Sequence, residues 1–213
     1  SRPLSGNDLR DLNDNRFAVA RMPSPPNIDH SGGAPRRRPF DTDLHQLVTD
    51  RISENVQSRL RLEAIDDYTR KRLKVFQPTI AEEMHAILSD FYRHMMQFPQ
   101  TRKYLEGSDI NALKSRQTQH WERLFSAEFD RPYVASAARI GLVHHAIGLP
   151  LHLYLSGYNR VLCDLTTLAI QHHSGSLSAS DTVNAIIKVV SLDMDIAISC
   201  YFLAEILRLR PED

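Results

Sequence analysis

The sequence predicts an all-α protein, and three observations lead to that prediction. Apolar side chains recur at helical spacing in several long segments, no segment alternates as a strand would, and no repeat of 20 to 50 residues is present. The chain has 213 residues, of which 42% are hydrophobic and 24% charged, as in an ordinary globular protein of one or two domains. A compact helical domain of about 150 residues is therefore expected.

The first 74 residues divide into two parts. Residues 1–41 are rich in proline and include the run Arg36 to Arg38, so we expect a disordered tail. Three arginines beside prolines are more typical of a solvated linker than of a nucleic-acid site. Residues 42–74 are charged and loosely amphipathic, which predicts one or two leading helices before a main domain over residues 75–210.

The first helix of the main domain is expected between two prolines. Pro78 suits a first helical turn, and Pro99 is expected to end the helix. Between them the apolar residues fall on one helical face: Ile80, Met84, Ile87, Leu88, Phe91, Met95 and Phe98.

Two further helices have recognisable start signals. Ser108 and Asp109 can accept hydrogen bonds from the free amides of a helix that runs to about Phe125. A third helix is expected after Asp130, with Pro132 in its first turn, and it should stop near Gly148.

The last two helices carry more apolar surface than one core-facing stripe requires. The fourth is expected from Pro150 to about Ile170, and the fifth from a capping-box pattern at Ser178 to Arg210. A monomer would expose part of this surface, so we expect a homodimer through these two helices, the alternative being one unusually buried helical hairpin.

Composition and motifs exclude several classes of function. Lys plus Arg and Asp plus Glu both number 26, so no net charge attracts the chain to nucleic acid. No membrane span, signal peptide or cysteine-rich metal motif is visible, and the two cysteines fit a reducing cytoplasm. Phosphate-loop, dinucleotide, GxSxG and HExxH motifs are absent, so the chain itself is not expected to be an enzyme.

Among the ten histidines, His144 has an informative position. It shares an apolar helical stripe with Ile140 and Ile147, whereas the adjacent His145 diverges from it by about 100°. Burial favours the neutral imidazole, which is the form that binds a transition metal. From spacing alone, a packed core histidine competes with a haem ligand at His144, and for His120 the core role is favoured.

Several motifs resemble the globin domain of globin-coupled sensors. The resemblance covers about residues 59–209, and its most specific part is RIGLVHHAIGLP from Arg139 to Pro150, continuing to Tyr154. The family motif implies that His144, not His145, is the proximal haem ligand. The segment likewise resembles free-standing protoglobins, although less closely, because the Ile-Gly-Leu-Pro turn follows the sensor pattern.

The resemblance also implies roles around a haem. Asp90-Phe91-Tyr92-Arg93 is similar to the family's Phe-Tyr pair, which makes Tyr92 the distal hydrogen-bond donor and Phe91 a pocket residue. Leu113 corresponds to the distal leucine, one turn before Gln117, a second candidate polar contact. On the proximal side, Ile147 lines the pocket and Tyr154 is expected to relay a change at the iron. The cofactor implied is non-covalent haem b, since no CxxCH motif is present.

The function implied is that of a gas sensor. Ferrous haem would bind O2, and also CO and NO, and the dimeric helices would pass the ligation state to an output domain such as a diguanylate cyclase or a histidine kinase. No such domain follows Arg210, and the first residue is Ser1, which favours an excised or processed sensor domain. The alternatives are a free-standing haem globin with O2-carrier or peroxidase-like activity, and a cofactor-free signalling globin.

Overall fold

The computed structural model describes residues 41–173 and 178–208 of the chain. Most of the predicted tail, the segment 174–177 and the predicted helix end at Arg210 lie outside these residues. The described part contains helices and no strand, as predicted, and each helix is too short or too polar to serve as a transmembrane segment. The helices are α1 (Thr42–Leu62), α2 (Asp67–Met95), α3 (Pro99–Leu105), α4 (Ile110–Phe125), α5 (Arg131–Ala146), α6 (Leu151–His172) and α7 (Ser178–Arg208).

Helix α1 is the leading amphipathic helix that the sequence predicts. Asp41 caps it by accepting a hydrogen bond from the Leu44 amide at 2.8 Å. Its buried apolar residues, spaced four apart, are Val48, Ile52, Val56 and Leu60. This face joins the common core of the domain.

The expected helix start at Pro78 is wrong. Helix α2 begins eleven residues earlier at Asp67, where the Asp66 carboxylate caps it by accepting from the Thr69 amide at 2.8 Å. Pro78 lies inside the helix and is exposed, so the carbonyl that loses its amide partner stays at the surface. The expected boundary between residues 74 and 75 therefore falls within one continuous helix.

The expectation that Pro99 ends this helix is also wrong. Helix α2 ends at Met95, and Pro99 begins the short helix α3, in whose first turn a missing amide costs nothing. Phe98, expected on the buried face, is the residue before α3 and is 39% exposed.

The predicted starts of α4 and α5 are confirmed by their caps. The Asp109 carboxylate accepts from the amides of Asn111 and Ala112, at 3.0 and 3.1 Å. The Asp130 carboxylate accepts from the Tyr133 amide at 2.9 Å. Both helices carry their buried face toward the core, as the apolar spacing predicts.

The last two helices pack against each other and against the rest of the domain. Helix α7 contacts α2, α5 and α6, and its residues Val189, Val190, Leu192 and Ile196 are completely buried. At one crossing α7 lies very close to α5, because a Cβ on Gly141 would lie 2.6 Å from the Ala197 carbonyl oxygen. Only glycine fits α5 at this position.

Candidate functional site

A cavity of about 410 Å³ lies among α2, α4, α5 and α6, with α3 at one side. Its volume is in the range typical of small-molecule and cofactor sites. Apolar and aromatic side chains form most of the lining. The structure brings every predicted site residue to this cavity: Phe91, Tyr92, Leu113, Gln117, His144, Ile147 and Tyr154.

His144 presents a neutral imidazole with one unused nitrogen. Its Nδ1 lies 2.8 Å from the Ile140 carbonyl oxygen, and because a carbonyl only accepts, Nδ1 carries the proton and donates. Burial lowers the pKa of His144, and the bond to Ile140 opposes this only in part. Nε2 therefore keeps its lone pair, and it has no protein partner in the described part of the chain.

The end of α5 fixes the position of His144. The helix stops because Gly148 adopts φ +68°, a left-handed conformation that glycine tolerates. The amides of Gly148 and Leu149 then bond to the carbonyls of His145 and His144, at 2.9 and 3.0 Å. His145 does not line the cavity, and its Nε2 lies 3.2 Å from a carboxylate oxygen of Glu205 on α7. Of the two adjacent histidines, only His144 faces the cavity.

Tyr92 of α2 presents a buried phenol to the same cavity. The residue is 5% exposed, and its hydroxyl has no hydrogen-bond partner among the described residues. Desolvation raises the pKa of Tyr92 to about 12, and the positive charge of Arg116 opposes this in part. The hydroxyl is thus protonated at neutral pH and available as a donor.

Helix α4 adds one polar atom and an apolar neighbour. The Gln117 Oε1 is buried and has no partner among the residues that the structure describes, which is costly unless something in the cavity binds to it. Leu113 lies one turn earlier and is half-buried. Within the cavity lining, the rings of the adjacent residues Phe91 and Tyr92 are packed edge-on, with centroids 5.1 Å apart.

Tyr154 of α6 packs beside His144. The two ring centroids are 5.3 Å apart, and Tyr154 is 4% exposed. On its other side the Tyr154 ring lies 4.8 Å from the ring of Tyr158. Tyr154 therefore contacts the candidate iron ligand His144 on one side and Tyr158 of its own helix on the other.

Comparison with known families identifies the chain. The family model that is named Protoglobin matches residues 52–206, which is most of the chain and contains every residue of the candidate site. The chain belongs to the Protoglobin family. In this protoglobin the described residues include no group of three His, Cys, Asp or Glu side chains able to hold a metal ion.

Two relatives are sensors, in agreement with the sequence resemblance. This protoglobin is 29% identical over 184 residues to the "Heme-based aerotactic transducer HemAT" of Halobacterium salinarum, an alignment that covers 80% of this chain and 37% of that relative. The globin domain of the globin-coupled sensor of Geobacter sulfurreducens superimposes with a TM-score of 0.64 at 20% identity, over 68% of this chain and 96% of that domain. The expected globin fold is thus confirmed.

Sequence reasoning missed a buried polar network next to the cavity of this protoglobin. Asp193 of α7 is completely buried, and it bonds to His120, Tyr133 and Tyr158. The sequence contains only a weak signal for it, an Asp on the apolar face of a strongly apolar helix. Its partner His120 lies 73 residues away, so one sequence could not reveal the pair.

Proposed function

We propose that the cavity binds haem and that Nε2 of His144 coordinates the iron. The observation that carries this proposal is the unused lone pair of a half-buried, neutral imidazole that faces a cavity of cofactor size. The lining fits a porphyrin, because it is mostly apolar. The haem would be non-covalent haem b, held by Phe91, Leu113, Ile147 and Tyr154.

A haem in this cavity would supply reversible coordination of a diatomic gas, O2 above all, and also CO or NO. The protein's part is to provide a dry pocket and a hydrogen-bond donor. Tyr92 has a protonated hydroxyl at the cavity that bonds to no described residue, which suits a polar gas ligand. Gln117 supplies a second polar side chain at the cavity, and Leu113 restricts entry of water.

The proposed biological role is sensing, with the ligation state passed through the last two helices of a homodimer. Exposed apolar side chains on α6 and α7 support the dimer: Leu155, Ile170, Ile187, Phe202 and Ile206. The name of the halobacterial relative describes a haem-based aerotactic transducer. An output domain or partner, such as a diguanylate cyclase or a histidine kinase, would receive the signal in the cytoplasm.

The decisive experiment compares two neighbouring histidines. The wild-type chain is mixed with haem b, and the ferrous spectrum is recorded with and without CO. We expect a Soret band that shifts on CO binding, and we expect His144→Ala to lose the iron–imidazole signature in resonance Raman spectra. Added imidazole should restore that signature by entering the space left by the side chain.

His145→Ala is the matched control, since this neighbour bonds to Glu205 and does not line the cavity. It should keep the wild-type spectrum. A wild-type chain without a Soret band, or a His144→Ala variant with an unchanged iron–imidazole signature, would contradict the proposal. Extraction of the pigment by acidified organic solvent would identify the haem as non-covalent.

A further inference from the structure

A fully buried carboxylate lies where the cavity wall meets α7. Asp193 of α7 is 0% exposed and accepts three hydrogen bonds. The donors are His120 Nε2 at 2.9 Å, the Tyr133 hydroxyl at 3.0 Å and the Tyr158 hydroxyl at 2.6 Å. They come from α4, α5 and α6, so one side chain of α7 connects to three other helices.

The three hydrogen-bond donors determine the charge of the Asp193 carboxyl group. Burial alone would raise the pKa of Asp193, but His120 and the hydroxyl donors outweigh that effect and hold the pKa below its usual value. Asp193 is thus an anion in the interior, and each donor is fixed in direction by it. The other ring nitrogen of His120 lies 3.0 Å from the Ser136 hydroxyl, so the imidazole is held at both ends.

Two of the three donors also line the cavity. His120 and Tyr158 contribute to the same lining as His144, while their polar ends contact Asp193. The candidate iron ligand reaches the same place by ring contacts, from His144 to Tyr154 at 5.3 Å and from Tyr154 to Tyr158 at 4.8 Å. Two of the hydrogen bonds to α7 are thus made by side chains of the cavity wall.

We propose that Asp193 is a positioning residue that couples the contents of the cavity to the packing of α7. The coupling runs through His120 and Tyr158, whose side chains contact the cavity on one side and the carboxylate on the other. This inference rests on the proposed haem function and adds the route by which the cavity influences the last helix. Coupling of this kind is reciprocal, so α7 packing also affects ligand affinity at the cavity.

The test measures backbone hydrogen exchange over residues 189–197 of α7 in the haem-loaded chain, with and without CO. In the wild type we expect the exchange rates of these amides to differ between the two states by about fivefold or more. Asp193→Asn replaces the carboxylate by an amide, which cannot accept hydrogen bonds from all three donors. In this variant the difference in exchange rates between the CO-bound and CO-free states should shrink to less than about twofold.

Asp195→Asn is the matched control on the same helix. Asp195 is paired with Arg59 of α1 and does not line the cavity, so its removal should leave the CO-dependent difference intact. Tyr158→Phe is the second test variant, because it removes one donor and leaves the carboxylate in place. Tyr158→Phe should reduce the CO-dependent difference in exchange rates, and it provides the test if Asp193→Asn does not fold.

The outcomes separate the two proposals. A haem-loaded wild type whose α7 does not respond to CO overturns the coupling, and so does an unchanged response in Asp193→Asn or Tyr158→Phe. Equal loss of the response in Asp195→Asn also overturns it, since any damage to α7 would then suffice. A wild-type chain that binds no haem overturns the proposed function first, and this inference together with it.

Discussion

Tyr92 and Tyr158 are two phenols in the lining of one cavity, but their hydroxyl groups have different uses. The Tyr158 hydroxyl donates to Asp193 at 2.6 Å and is committed to the protein interior. The Tyr92 hydroxyl has no partner among the described residues, although its residue is 5% exposed. The Tyr92 hydroxyl is therefore free to donate to a ligand in the cavity, and Tyr154, whose buried hydroxyl also has no partner among the described residues, is a second such phenol of the lining.

Tyr92→Phe is expected to accelerate O2 release. A hydrogen bond to a partly charged ligand contributes about 1.5–3 kcal/mol, which corresponds to about a 10- to 150-fold faster off-rate. CO carries less charge and should bind with little change in affinity. Flash photolysis of the CO complex and stopped-flow release of O2 measure both. The CO measurement serves as the control within the same variant, and an unchanged O2 off-rate would contradict the distal role of Tyr92.

The residues of the site were more predictable from the sequence than their partners. His144, Ile140 and Ile147 share a helical face, so spacing alone brings them to one side of α5. Their assignment to a haem site came from the family resemblance, since spacing also fits a core histidine. The bond from His120 to Asp193 could not be predicted, because it joins residues that only the tertiary structure brings together.

At the scale of helices, the crossing of α5 and α7 depends on a single glycine. A Cβ at Gly141 would lie 2.6 Å from the Ala197 carbonyl oxygen and 2.9 Å from the Cys200 Cβ. These atoms belong to the α7 backbone or lie next to it, so they cannot move away independently. The close approach matters for function because Gly141 lies one turn before His144 on α5.

Gly141→Ala should therefore destabilise the chain although alanine favours helices. Overpacking costs about 1–3 kcal/mol, which exceeds the gain of about 0.5–1 kcal/mol from helix propensity. Urea unfolding monitored by circular dichroism measures the change. Gly157→Ala is the control, because its Cβ would meet the Phe91 ring at an ordinary 3.5 Å, and this variant should be as stable as the wild type or more stable. Equal stability of both variants would contradict the close crossing.

Helix starts were predictable at the capping residues Asp109 and Asp130 and at Pro150, which directly precedes α6, but not at Pro78. Asp109 and Asp130 bond to the first amides of α4 and α5, so the local sequence specifies these starts. Pro78 misled the prediction because proline is compatible with a first turn and also, at a cost, with an exposed position inside a helix. The stronger signal was Asp66, whose carboxylate caps α2.

At the scale of the whole molecule, the chain has one long apolar core but leaves apolar side chains exposed on its last two helices. The core runs from α1 through α7, and the buried face of α7 is part of it. Phe202 and Ile206, one turn apart on α7, remain 61% and 52% exposed. The sequence predicted surplus apolar surface on these helices, and the structure locates it on their outer faces.

That surplus leads to a prediction about assembly. Large apolar side chains at the centre of an interface contribute most of its binding free energy, so a buried charge there should disrupt it. Phe202→Glu is expected to weaken homodimerisation by at least about tenfold, while the monomer fold is retained because Phe202 contributes little to the core. Sedimentation equilibrium over a concentration series measures the dissociation constant against the 24.3 kDa chain mass.

The control for this prediction is an exposed apolar residue on a different helix. Leu62 at the end of α1 is 83% exposed, so Leu62→Glu adds the same charge on a helix outside the proposed interface and should leave the dissociation constant unchanged. Equal weakening by both variants would indicate nonspecific charge repulsion instead of a defined interface. A wild-type chain that stays monomeric at all concentrations would contradict the dimer, and the exposed residues of α6 and α7 would then be available to a different partner.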